Sequence, residues 1–266
     1  MPSAYTRLCQ LSAGIWQLSL NRPEKHNALH PAMIQELVDH LHTLADNAAV
    51  RVLILCGEGP SFSSGADLNY MQAMVNFSHQ ENVDDARKLA TLMQTLNHFP
   101  KPVICAVKGN AFAGAIGLIA CSDIIVASND ARFCISETRL GIAPAVISPY
   151  LIARMGNHNA RRFFLSAEVF DALSAQSVGL VHTLVEADQL QAETLKIASS
   201  LLNNAPGALT AAKTLIHHVS QIVDDKLTTY TCELIAGLRA GEEGQQGLKA
   251  FLEKKKAPWL DGGDQP

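Results

Sequence analysis

A strand that runs into a cluster of glycines and alanines, and from there straight into an apolar helix, leaves a chain few ways to fold. Here that passage is Ala106-Val-Lys-Gly-Asn-Ala-Phe-Ala-Gly-Ala-Ile-Gly117, with the helix continuing over Ile116–Cys121. A helix amino terminus carries backbone N–H groups without intrahelical partners and a partial positive charge. Residues as small as Gly and Ala let a ligand oxygen approach that backbone closely. The same composition also suits tight strand–helix packing, so this passage alone leaves both readings open.

A second passage has the same grammar. Leu53-Ile-Leu-Cys-Gly-Glu-Gly-Pro-Ser-Phe-Ser-Ser-Gly-Ala-Asp67 reads as a buried strand, a glycine-rich turn and a helix start. Asp67 suits the positive end of that helix, and N–H groups beside Gly65 can face a ligand. Two such elements can each give one N–H to a single oxygen, which builds an oxyanion hole from backbone alone. A third passage, Phe133–Pro144, sets Glu137 among apolar residues just past another strand. A carboxyl in an apolar wall has a raised pKa and suits proton transfer near neutral pH.

These passages, together with Leu20–Leu29, Ala175–Val181 and Phe251–Lys256, stand in one familiar order. Over nearly its whole length the chain resembles the enoyl-CoA hydratase/isomerase (crotonase) superfamily. The resemblance implies an α/β fold: a crotonase-like spiral of ββα units over residues 1–200, then a C-terminal helical trimerisation region over residues 201–266. It implies an enzyme of hydro-lyase type acting on an acyl-CoA thioester, assembled as a homotrimer or homohexamer. In that reading the N–H groups of Ala66 and Gly114 hold the thioester carbonyl and Glu137 moves protons. Lys25, His26, Ala28, Ser64, Asp67, Leu68 and Lys254 would meet coenzyme A, Lys254 from a neighbouring subunit. No cofactor is implied beyond the coenzyme A that the substrate carries.

One position departs from the pattern. Hydratases of the family usually carry two glutamates; the second falls on Glu137, but the first falls on Gly117. Hydration of an α,β-unsaturated acyl-CoA through Glu137 is the leading expectation. A Δ3,Δ2-enoyl-CoA isomerase using Glu137 alone, or a low-turnover binder of CoA thioesters, are the alternatives. Ser136–Tyr150 and Ala160–Glu168 resemble the branch that hydrates 3-methylglutaconyl-CoA and related branched substrates of leucine degradation. Arg139 is the nearby cation for such a substrate's distal carboxylate, against the plainer reading of a structural ion pair. Ser136 either orients Glu137 or caps its own turn.

Composition narrows the rest. Apolar residues make up 48% of the 266 and aromatics 6%, which describes a packed core rich in aliphatic side chains. A net charge of −4 gives no basic footprint for nucleic acid. No apolar run approaches a membrane span, and the first residues lack a signal-peptide core. The six cysteines show no paired or metal-like spacing and point to a reducing compartment, with a cytoplasmic location expected. The ten histidines show no ligand spacing, so no metal is expected, and His217-His218 read as solvated. Asp67 and Asp123 read as helix and turn stabilisers. Neither a Walker loop nor a dinucleotide fingerprint occurs.

Periodicity supplies the elements. A hairpin is expected over Thr6–Leu11 and Ile15–Leu20, and a helix from His30-Pro31 with Met33, Leu37, Leu41 and Leu44 inward. Strands are expected at Val52–Cys56, Val103–Val107, Ile124–Ala127 and Arg132–Cys134, with one helical region from Asp67 to Asn97. Beyond Ser148 the pattern is helical except for a β-like stretch near Gly179–Val185. The last helices are expected at 188–203, 206–221, 225–240 and 243–255.

Overall fold

The computed structural model describes residues 5–74, 76–219, 237, 241–253 and 255–260. The opening hairpin forms as expected, β1 (Thr6–Ser12) antiparallel to β2 (Gly14–Leu20). Helix α1 (Pro31–Asp46) starts where His30 accepts N–H bonds from Ala32 and Met33, with Pro31 in the first turn. Its apolar stripe, Met33, Leu37, Leu41 and Leu44, is buried.

The strand β3 (Val50–Gly57) is an almost unbroken apolar run, the pattern of a parallel strand covered on both faces. It lies mid-sheet. With β4 (Val103–Val107), β6 (Ile124–Ser128) and β9 (Thr183–Val185) it completes a six-stranded sheet in the order β1-β2-β3-β4-β6-β9. Alternate residues serve two cores. Leu53, Leu55, Val103 and Cys105 face the larger one, while Val52, Ile54, Ile104 and Ala106 face a smaller one.

A second sheet stands beside the first, β5 (Asn110–Phe112) and β8 (Val169–Asp171) flanking β7 (Arg132–Cys134). The repeat is now visible. In β4-β5-α4 and again in β6-β7-α5, the first strand joins the large sheet, the second joins the small one, and a helix follows. These helices are α4 (Gly114–Cys121) and α5 (Ser148–Ser166).

Three sequence expectations change. The region 67–97 is two helices, α2 (Leu68–Met74) and α3 (His79–Asn97), because Ser78 and Glu81 form a capping box that starts a new helix. Strands β5 and β8 had no counterpart in the periodicity. His217 is not simply solvated: its Nε2 lies 3.0 Å from the Asn97 carbonyl oxygen and its ring stacks on His98.

Helix α6 (Ala172–Ser177) leads to β9, and α7 (Leu190–Leu201) covers the smaller core. Helices α8 (Pro206–His218) and α9 (Glu242–Leu252) follow; the helix expected at 225–240 lies, except for Gly237, outside the described residues. Lys213 of α8 pairs with Asp123 at 2.7 Å, and Glu243 of α9 accepts the N–H groups of Gly207 and Ala208. Among the described residues no helix is long and apolar enough to cross a membrane. Cys105, Cys121 and Cys134 are buried free thiols.

Candidate active site

The two glycine-rich turns, after β3 and after β4, are sewn together through their backbones. Phe62 N–H donates to the Lys108 carbonyl at 2.8 Å, and Ser63 N–H to that of Asn110 at 3.0 Å. Phe112 N–H returns a bond to the Ser63 carbonyl at 3.0 Å. Gly65, at φ +92°, fits because a Cβ there would stand 3.1 Å from both Ala113 Cβ and the Phe112 carbonyl oxygen. Ala113 itself adopts φ 48° and ψ −127°, a conformation that costs a non-glycine residue roughly 1–3 kcal/mol. It is held there by a 2.8 Å bond from its N–H to the Cys134 carbonyl.

This stitching fixes Ala66 and Gly114. Leu29 donates to the Gly65 carbonyl and accepts from Asp67 N–H, so the Ala66 amide is left on the other side. Neither the Ala66 nor the Gly114 N–H donates a hydrogen bond among the described residues. Ala66 is exposed and Gly114 half-buried. They are two open donors on adjoining turns.

Glu137 stands three residues past Cys134, on the short turn Glu137–Leu140. It is 9% exposed, and its Oε2 is buried with no hydrogen-bond partner. Burial pushes the carboxyl pKa up, and a hydrogen bond from its own backbone offsets this only in part. The Ser136 hydroxyl makes neither a cap bond to its own turn nor a bond to Glu137 among the described residues, so neither role expected of it is seen. Arg139 is exposed and makes no ion pair among the described residues.

The turn expected to meet coenzyme A also comes together here. His26 Nδ1 lies 3.0 Å from Ser61 Oγ, and Ser64 N–H donates to the His26 carbonyl at 2.9 Å. Lys25 is exposed, its carbonyl accepting from Ala28 N–H. Leu68 is 75% exposed at the start of α2, a large apolar side chain beside the Ala66 amide. Asp67 is different. Burial pushes its carboxyl up, but the Arg22 guanidinium and the N–H groups of Tyr70 and Asn69 outweigh this and hold it below the usual range. Its carboxylate and both backbone groups are engaged within the protein, so only its shape is left to meet a ligand. Lys254 lies outside the described residues.

Two residues of this turn carry more than their sequence suggested. Arg22 bonds Asp67 at 2.9 Å and the Ala28 carbonyl at 2.9 Å while lying over Tyr5. Buried Asn27, at φ 54°, donates to the carbonyls of Glu58 and Ser61 and accepts from Arg22 N–H. The clue was an Asn in a Pro-containing turn, since Asn tolerates the left-handed region.

The sequence model for enoyl-CoA hydratase/isomerase matches residues 10–262. The chain belongs to this family. As a crotonase it is an enzyme of hydro-lyase type. A crystal structure of an enoyl-CoA hydratase/isomerase (crotonase) from Legionella pneumophila is 43% identical, with a TM-score of 0.91 over 97% of this chain and 99% of that one. The mevalonyl-coenzyme A hydratase of Aspergillus fumigatus is 35% identical over 91% of this chain and 90% of its own length. The 2,3-dehydroadipyl-CoA hydratase of Escherichia coli is 33% identical over 90% and 92%.

For a crotonase, the position of the usual first glutamate deserves a physical account. Gly117 is not an empty place. A Cβ there would fall 2.4 Å from Ile147 Cγ2 and 2.9 Å from Met93 Sδ. The space a second carboxylate would need is filled by an isoleucine and a methionine. Among the described residues no group of His, Cys, Asp and Glu could hold a metal ion.

Proposed function

We propose that this crotonase adds water to an α,β-unsaturated acyl-CoA with Glu137 as its one proton carrier. The observation that carries this reading is the buried, unpartnered Glu137 Oε2 on a turn tied through Cys134 to the one bearing Gly114. The Ala66 and Gly114 amides hold the thioester oxygen, and negative charge gathers on it as the reaction proceeds. The Glu137 carboxylate takes a proton from water while the hydroxide oxygen bonds to the β-carbon. The resulting enolate then takes that proton from Glu137 at the α-carbon, so one water is added and the carboxylate returns. Coenzyme A enters as part of the substrate, and no other cofactor is needed.

The acyl group we assign is branched and carries a distal carboxylate, as in 3-methylglutaconyl-CoA. Arg139, two residues from Glu137 and without an ion pair among the described residues, is the cation for that carboxylate. A relative named for a dehydroadipyl, hence diacid, thioester supports this choice. Exposed Leu165, Leu173 and Ile216 favour assembly into trimers or hexamers, and the buried thiols favour a reducing cytoplasm.

Loss of conjugated enoyl-thioester absorbance tests the reading, with crotonyl-CoA and 3-methylglutaconyl-CoA offered side by side. Faster turnover of the branched diacid ester is expected. Failure with both esters, together with conversion of a β,γ-enoyl-CoA, would replace hydration by isomerisation, which the filled space at Gly117 favours. Glu137→Gln should lower turnover by roughly 10²–10⁴ and leave CoA-ester binding in place. Equal turnover in that variant would remove Glu137 as the proton carrier, and binding of these esters without turnover of any of them by wild type would leave only a thioester-binding protein.

A further inference from the structure

On the face of the large sheet that looks away from the larger core, α7 packs over the smaller core, and the cover it gives is incomplete. Between α7 and the carboxyl ends of β3 and β4 lies a cavity of about 210 Å³. Its floor is apolar, built from Ile54, Ala106 and Leu190. Its rim carries Gln17, Glu58 and Lys108. Glu58 and Lys108 are half-buried, and neither makes an ion pair or a side-chain hydrogen bond among the described residues. Both line the cavity beside Cys56, whose thiol pKa is pushed up to about 11 chiefly by burial, with Glu58 raising it and Lys108 lowering it.

Opposite charges on one rim beside apolar surface, neither with a side-chain partner among the described residues, offer a ligand two complementary polar contacts next to an apolar floor. A ligand bearing both signs on adjacent atoms answers both at once, with no change in net charge. We propose that this cavity is a second small-molecule site that takes an apolar α-amino acid. The ligand's carboxylate meets Lys108, its ammonium meets Glu58, and its side chain lies on Ile54, Ala106 and Leu190. The volume admits a residue of valine or leucine size and excludes an acyl-CoA, which separates this site from the catalytic one.

Its position gives it reach. The Glu58 carbonyl accepts from Asn27, and the Lys108 carbonyl accepts from Phe62, so each charged residue opens one of the two turns that carry Ala66 and Gly114. A ligand bridging Glu58 and Lys108 ties those turns together from behind.

Isothermal titration of the purified full-length protein with L-leucine and L-valine tests this, because its readout is binding and does not depend on turnover. Saturable heat is expected below ~10 mM, with Lys108→Met and Glu58→Gln each weakening affinity about tenfold or more. Isovalerate and isopentylamine, each with one charge and the same apolar body, should bind at least about tenfold more weakly than L-leucine. Absence of saturable heat from both amino acids would overturn the proposal. So would unchanged L-leucine affinity in both variants, or isovalerate binding as tightly as L-leucine.

Discussion

Glu137 sits where charge is penalised, and that has a measurable sign. The carboxyl's pKa is raised in the fold, so the stability it allows is full at low pH and is lost as pH climbs through the raised value. Glu137→Gln removes that loss. The variant should melt higher than wild type at about pH 8, with the gap closing toward about pH 4 in thermal scans. Gly117 tests packing in the same neighbourhood. Gly117→Ala gains about 1 kcal/mol of helix propensity, yet its new methyl meets Ile147 and Met93, an overpacking worth about 1–3 kcal/mol. Ile147→Ala alone opens a cavity. In urea unfolding the double variant should lose less than the two single losses together, by about 0.5–3 kcal/mol. Simple additivity would mean the two positions do not compete for space.

The unit that matters at the next scale is the pair of stitched turns and the Arg22–Asp67 strap that holds one of them to the segment before α1. Both side chains of the strap are nearly buried. Arg22→Met leaves the Asp67 carboxylate without its cation, at a cost of about 3 kcal/mol in urea unfolding near neutral pH. Because Asp67 titrates below the usual range, its stabilisation is present above the unfolded carboxyl's pKa and fades as pH falls through the lowered one. The variant's deficit should therefore shrink in strong acid. Long periodic elements such as α1, β3 and the opening hairpin were legible in the sequence, and so were the three passages carrying Ala66, Gly114 and Glu137. Strands β5 and β8 were not, since Asn110–Phe112 lies inside a glycine-rich turn and Val169–Asp171 inside a stretch that reads as helical, and both exist by pairing with β7. The split between α2 and α3 was written in Ser78 and Glu81, a local cap inside a helical pattern. Arg22, Asn27 and Ile147 take their meaning from partners far along the chain, such as Asp67, Glu58 and Gly117, and no local pattern announces such contacts.

Across the whole molecule, α8 is fastened to the end of α4 by Lys213 and Asp123, while Arg154 of α5 donates to the carbonyls of Ala120 and Ser122 at the same end. Lys213→Met should lower stability by roughly 1–3 kcal/mol in chemical unfolding, since Asp123 keeps the Val103 N–H but loses its cation. The stitched turns have one more consequence, which concerns time. The parts of the proposed site are scattered from Arg22 to Glu137, joined by contacts between residues far apart in the chain, and such contacts form late because long loops must close first. On the ribosome, Ala66 waits for Gly114, and both wait for Glu137. A refolding chain should regain its helical circular dichroism before its turnover, so catalysis is the last thing this protein learns each time it is made.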